Sequence, residues 1–218
     1  MKELLLCIDH TMLKPDAVWS DIKKCCDEAK EYGFGAVCVN GCYVQKTTEQ
    51  LKDTTIKTVA VAGFPLGTQT TKAKVYEATL AIEQGADEVD MVINVGALKD
   101  QDYAYVVDDI KSVVEAIKGK ALLKVILETC LLTDEQVVMA CQLCEKAGAD
   151  FVKTSTGFNG PGASVHHVNL MKQTVGNRLK VKAAGGIRTL QQAKDMIEAG
   201  ADRLGCSASV AIAKEIMN

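Results

Sequence analysis

The chain has 218 residues, 48% of them hydrophobic and 24% charged, with a formal net charge of −3. Such a length and composition suit one globular domain over residues 1–218 with a large core, and the slight negative charge argues against a nucleic-acid or anionic-membrane partner. No segment reaches the roughly 18 apolar residues that a membrane span needs, so the expected partner is a small molecule.

The first element expected is a strand over 5–10. The opening MKELLLC is too short, and too early interrupted by Glu3, to read as a lipoprotein leader. Val18, Ile22, Cys25 and Ala29 then mark one face of a helix. Apolar runs predict strands over 36–40, 58–63 and 88–94, the last following Gly85 in EQGADEVDMVIN (83–94). A second amphipathic face is carried by Val106, Ile110, Val113, Val114 and Ile117. A strand over 122–129 holds Lys124 and Glu128, and the helix after it opens with Thr133 and Gln136 at capping-box spacing. Cys141 and Cys144 have redox spacing, yet they share a face with Val137 and Ala140 well inside that helix, which favours core packing. A strand over 151–155 follows Gly148 in KAGADFVKTS (146–155), and His166 and His167 open a surface helix. Strands over 180–184 and 203–207 complete the series, the second following Gly200 in EAGADRLGCS (198–207), before a last helix over 208–214.

The three GAD segments repeat one punctuation, a helix closed by a left-handed glycine and then a strand. Eight strand-then-helix units in 218 residues, about 27 residues each, predict an α/β fold, a single (β/α)₈ TIM barrel, because doubly wound open sheets more often stop at five or six strands. Nine cysteines, an odd number scattered through these elements, point to reduced thiols and a cytoplasmic setting rather than to a disulfide scaffold. The three histidines show no zinc-like spacing with cysteine, so no metal is expected. Trp19 and the tyrosines form no stripe for stacking bases.

On a barrel, function sits at the C-terminal ends of the strands. Asp90, Lys153 and Lys182 lie within the fourth, sixth and seventh predicted strands, where a charged side chain faces the lumen at less cost than the helix layer. A lysine there feels desolvation and the other ammonium group, both disfavouring its charged form, and a neutral amine attacks carbonyl carbon. The pair thus suggests Schiff-base chemistry. The alternative for any one of these lysines is a buried ion pair, the reading preferred for Lys124 with Glu128 near the barrel bottom, and Lys180 is demoted by its early position. Asp90 is a structural partner or a proton shuttle, and Glu128 is a second carboxylate candidate. Gly185 and Gly186 after strand seven, with Ser207 before the last helix, suggest a phosphate site, which Thr154, Ser155, Thr156 and Gly157 extend.

The segments DHTMLKP (9–15), CVN (38–40), GFPLG (63–67), GADEVDMVINVGAL (85–98), LKVILET (123–129), FVKTSTG (151–157) and VKAAGGIRT (181–189) together closely resemble the deoxyribose-phosphate aldolase family, in order and across all eight units. The resemblance implies a class I aldolase that needs no metal or other cofactor. It would reversibly cleave 2-deoxy-D-ribose 5-phosphate to D-glyceraldehyde 3-phosphate and acetaldehyde. It further implies Lys153 as the Schiff-base lysine, Lys182 as the residue lowering its pKa, Asp90 as proton relay, and Gly157, Gly185, Gly186 and Ser207 around the phosphate. Relatives are commonly dimers or larger, so a homodimer or higher homo-oligomer is expected by analogy. The sequence departs from the family pattern at Ala208, where a second serine is frequent, and at Ala184, which removes one expected hydroxyl ligand. It also ends at Asn218, without the tail whose terminal tyrosine contributes to activity in some relatives, so catalysis is expected to be tuned differently. Two other readings stay open: a Schiff-base aldolase for a different phosphosugar, and a barrel that binds a phosphosugar without turning it over.

Overall fold

The computed structural model describes residues 2–217. Eight parallel strands close into a barrel in sequence order: β1 (Ile8–Met12), β2 (Ala36–Val39), β3 (Lys57–Ala62), β4 (Glu88–Val92), β5 (Leu122–Ile126), β6 (Phe151–Lys153), β7 (Lys180–Ala184) and β8 (Arg203–Cys206). The closing contact is β1 against β8, with Ile8 opposite Leu204. Around it run α1 (Lys2–Leu6), α2 (Trp19–Tyr32), α3 (Val44–Leu51), α4 (Thr71–Glu83), α5 (Val95–Lys99), α6 (Tyr103–Ile117), α7 (Asp134–Ala147), α8 (Val165–Val175), α9 (Leu190–Glu198) and α10 (Ser209–Met217).

The period of two along each strand sorts the residues into two layers. Val37, Val39, Ala60, Ala62, Val89, Met91, Leu123, Val125, Val152, Val181, Ala183 and Leu204 join the large apolar layer between barrel and helices. The intervening positions face the lumen, where Ala36, Cys38 and Val59 form a small apolar patch with Leu13. Asp9, Glu88, Asp90, Lys124, Lys153 and Lys182 have that same lumen parity and are all buried. Gly205 makes space for this crowd: a Cβ there would lie 2.9 Å from Ala184 Cβ and 3.2 Å from Lys182 Cε.

Several expected boundaries shift. The first strand begins at Ile8 rather than residue 5, and Lys2–Leu6 is a helical turn. Leu5 and Leu6 lie in that helical turn, and Cys7 only accepts from the Leu204 amide at 2.8 Å, so the ladder proper starts with Ile8 opposite Leu204 and Asp9 opposite Ala36. Val18 stands 56% exposed just ahead of α2, off the buried face formed by Ile22, Cys25 and Ala29. Strand β5 stops at Ile126, because Glu128 takes a left-handed backbone (φ 57°) and a 3₁₀ turn follows over Thr129–Leu131. Other expectations agree with the structure. Gly85, Gly148 and Gly200 all have positive φ, the Thr133–Gln136 capping box forms, and Cys141 and Cys144 are buried on the inner face of α7. All nine cysteines are free.

Candidate active site

The strand registers bring the three sequence-predicted polar residues together. Lys153 and Lys182 are direct partners across β6 and β7, and Asp90 is reached from β4 over the lumen. One carboxylate oxygen, Asp90 Oδ2, accepts from Lys153 Nζ at 2.8 Å and from Lys182 Nζ at 2.7 Å. The other, Oδ1, accepts from Lys124 Nζ at 2.9 Å. Lys182 also contacts Asp9, which in turn pairs with Arg203. Lys124 is therefore not paired with Glu128. Its partners are Glu88 at 2.5 Å and Asp90, because it points into the lumen beside both. Glu128, past the end of the strand on a left-handed backbone, turns toward the loop after β6 instead.

This network treats the two lysines unequally. For Lys153, burial is the largest influence and lowers the pKa; Asp90 pulls it up, Lys182 pushes it down, and the net direction is down. Burial also opposes the charged form of Lys182, but Asp9 and Asp90 together more than offset it and its pKa rises. The expectation that each ammonium group discharges the other thus holds in one direction only. Lys182 stays charged because it lies between two carboxylates, whereas Lys153 has a single shared one. For Asp90, burial works against ionisation, yet Lys124, Lys153 and Lys182 hold its carboxyl well below the usual range. Asp9 behaves alike: burial raises its pKa, and Lys182, Lys124 and Arg203 bring it down to about 2. Cys38 also faces this lumen, and burial pushes its thiol up to about 11.

At the open end, Gly157, Gly185, Gly186 and Ser207 gather on neighbouring loops. Ala184 pairs with Gly205, so Gly186 and Ser207 each follow two residues beyond a paired position. A Cβ built on Gly157 would meet Gly185 Cα at 3.9 Å, and one on Gly162 would overlap the Gly185 carbonyl, so these loops pack backbone against backbone. Gly157 (φ 85°), Gly185 (φ 88°) and Gly186 (φ 78°) all use left-handed conformations that favour glycine. Among the described residues, no turn, loop or side-chain hydrogen bond uses the amides of Gly157, Gly185, Gly186 and Ser207. Ser155 Oγ is buried beside them without a partner.

Asp9, Glu88, Lys124 and Arg203 belong to the same network but were not among the sequence-predicted site residues. Their signal was parity: each is a charged residue at a lumen position of its strand, like the three that were singled out. Two other features lie apart from Asp90, Lys153 and Lys182. Asp134, His166 and His167 cluster at the starts of α7 and α8, where two helix N-termini disfavour a cation, and His166 Nε2 already lies 2.8 Å from Asp134 Oδ2. A surface cavity of about 640 Å³, lined by Lys57, Asp87, Glu88, Lys120 and Asp150 among others, lies at the N-terminal ends of the strands, the end that serves stability on this fold.

A barrel lumen holding a lysine whose pKa is lowered, a charged partner and a shared carboxylate, under a rim of free amides, suits imine formation with phosphorylated carbonyl compounds. Known proteins agree with that chemistry. The deoxyribose-phosphate aldolase of Clostridium novyi is 60% identical over 205 residues, covering 94% of this chain and 92% of the relative. That of Enterococcus faecalis is 57% identical over 210 residues, with 96% of each chain covered. Among solved structures, deoxyribose phosphate aldolase from Aeropyrum pernix, described as tetrameric, superposes with a TM-score of 0.93 at 32% identity, covering 100% of this chain and 93% of that one. An aldolase designated QR15 superposes with a TM-score of 0.95 at 41% identity, covering 100% and 97%. Residues 3–214 match the family model for DeoC/LacD family aldolases, and the chain belongs to that family.

Proposed function

We infer that the protein is a class I aldolase that reversibly cleaves 2-deoxy-D-ribose 5-phosphate to D-glyceraldehyde 3-phosphate and acetaldehyde, with Lys153 as the Schiff-base residue. The observation that carries the assignment is the unequal sharing of Asp90: of the two facing lysines, Lys153 alone has its pKa lowered.

In this reading the neutral Lys153 amine adds to the aldehyde carbon of the open-chain sugar, and loss of water leaves an iminium. The C2–C3 bond then breaks. Its electron pair flows into the iminium to form an enamine, while the C3 hydroxyl gives up its proton to water and glyceraldehyde 3-phosphate departs. Protonation of the enamine at C2 and hydrolysis release acetaldehyde and restore the amine. Asp90, at 2.8 Å from Lys153 Nζ, steadies the cationic iminium, and with water it passes the protons. Lys182 keeps a fixed positive charge that discourages protonation of Lys153. The phosphate is held by the amides of Gly157, Gly185, Gly186 and Ser207, with Ser207 also offering a hydroxyl.

The same reading takes residues 1–218 as one catalytic domain working without a cofactor, with a phosphosugar and an aldehyde as its partners and neither nucleic acid nor membrane. None of the helices among the described residues is long and apolar enough to cross a membrane. Nine free cysteines support a cytoplasmic setting. The tetrameric description of the Aeropyrum pernix enzyme supports a homo-oligomer.

Borohydride reduction in the presence of acetaldehyde, followed by peptide mass mapping, tests the assignment. A two-carbon adduct on Lys153 is expected. An adduct confined to Lys182 reverses the two roles, and normal sugar-phosphate binding without any adduct supports a binding protein instead.

A further inference from the structure

Glu128 is 1% exposed, and the hydrogen bonds it accepts come from neutral donors. Oε1 accepts from the Thr156 amide at 3.2 Å and weakly from Cys130 Sγ at 3.9 Å; Oε2 accepts from the Thr156 hydroxyl and from Asn159 Nδ2 at 2.8 Å. The left-handed backbone of Glu128 (φ 57°, ψ 60°), disfavoured for a residue with a Cβ, swings its side chain out of the line of β5 and toward the loop after β6. Both oxygens are engaged by that loop or by Cys130, and neither bonds to Lys153, Lys182 or Asp90, so this carboxylate is not arranged to exchange protons with the reacting centre.

The Thr156 hydroxyl continues the chain of contacts. It donates to Glu128 and accepts from the Phe158 amide at 3.1 Å, so the amides of the two residues flanking Gly157 are tied to one buried carboxylate, that of Thr156 directly and that of Phe158 through the hydroxyl. The far end of the loop is fastened elsewhere: Ala163 N–H donates to Ala184 O and Gly185 O, each at 3.0 Å. Hydrogen bonds to an ionised acceptor are about twice as strong as neutral ones, and a donor held ready in a loop binds an anion without having to be ordered first.

We propose that Glu128 is a positioning residue for substrate phosphate: through Thr156 and Asn159 it presets the Gly157 amide, and it does not itself touch the substrate. The proposal rests on Gly157 being part of the phosphate site. It assigns Glu128 to recognition of the phosphorylated end and not to the carbon–carbon chemistry.

The test compares cleavage of 2-deoxyribose 5-phosphate with that of unphosphorylated 2-deoxyribose, using the full chain and the variants Glu128→Gln and Asn159→Ala. Glu128→Gln is expected to raise KM for the phosphorylated sugar about tenfold, with kcat changed by less than about threefold, because a charge-assisted tether is lost. Asn159→Ala, at an exposed position that leaves folding intact, is expected to raise it about threefold. The inhibition constant for inorganic phosphate should rise by matching factors, while kcat/KM for the unphosphorylated sugar stays within about twofold of the parent. Equal losses on both sugars, or an unchanged KM, overturn the proposal. If Glu128→Gln fails to fold, Asn159→Ala decides by the same readouts. A parent enzyme with no preference for the phosphorylated sugar removes the phosphate reading itself, whereas a preference that survives both substitutions removes only the tether.

Discussion

Lys153 and Lys182 carry the same functional group at directly paired positions, and their neighbours alone make them different. Lys153 shares one carboxylate, while Lys182 contacts Asp9 and Asp90. Replacing Lys153 with Met should therefore remove borohydride trapping and lower kcat by about 10⁴-fold or more, as loss of a covalent nucleophile does elsewhere. Lys182→Met acts differently. It removes a positive charge that pushes the Lys153 pKa down and leaves Lys153 a larger share of Asp90, so the folded pKa of Lys153 rises. Because the neutral amine is the nucleophile, the rate of acetaldehyde trapping should then climb only at higher pH than in the parent. A trapping profile in Lys182→Met that overlays the parent's would show that Lys182 does not set the protonation of Lys153. The sequence showed that these two lysines have lumen parity on neighbouring strands. It did not show which was paired twice, because Asp9 reaches Lys182 only when β1 closes against β8.

At the scale of elements, α4 and α6 are joined by a buried ion pair. Lys74 Nζ lies 2.6 Å from Asp109 Oδ2, with Lys74 0% and Asp109 1% exposed, and Thr71 donates to Asp109 Oδ1 at 2.8 Å. Asp109→Ala leaves an unpaired buried ammonium and should destabilise the protein by about 3–5 kcal/mol in urea unfolding, whereas Lys74→Met combined with Asp109→Leu should cost far less. The start of α7 is held more locally. Thr133 Oγ1 accepts the Gln136 amide at 3.3 Å and the Gln136 side chain accepts the Thr133 amide at 3.0 Å, so Thr133→Ala should cost about 1 kcal/mol. That cap was legible in the sequence because all its partners lie within four residues. The Lys74–Asp109 pair was not, since its partners stand 35 positions apart on different helices.

Across the whole molecule, the lumen charges tie stability to pH. Asp9 has a folded pKa of about 2 against an ordinary value of 3.8, and Asp90 is shifted in the same direction. A depressed folded pKa gives stability that is fully present above the unfolded value and is lost as pH falls through the folded one. For Asp9 alone this is about 2 kcal/mol, present above about pH 4 and disappearing toward pH 2. Urea midpoints should accordingly fall steeply below pH 4, with a shallower fall in Asp9→Asn. A midpoint that declines evenly over the whole range would mean that the buried carboxylates are not the source.

The sequence by itself determined the number and order of the strand-helix units, the split of each strand into lumen and helix faces, and the glycine and capping signals that punctuate the chain. These depend on neighbours within a turn or two, and on a period of two that any closed parallel sheet must respect. The three site residues singled out from sequence had that same parity, and the structure brings them within hydrogen-bond reach of one another. Tertiary structure alone decided where the first strand begins, which carboxylates Lys124 and Lys182 meet, and where Glu128 points. Each of these depends on register between strands far apart in sequence or on a backbone reversal at a strand end, and electrostatic energy in a closed lumen is set by distances that appear only once the barrel has closed.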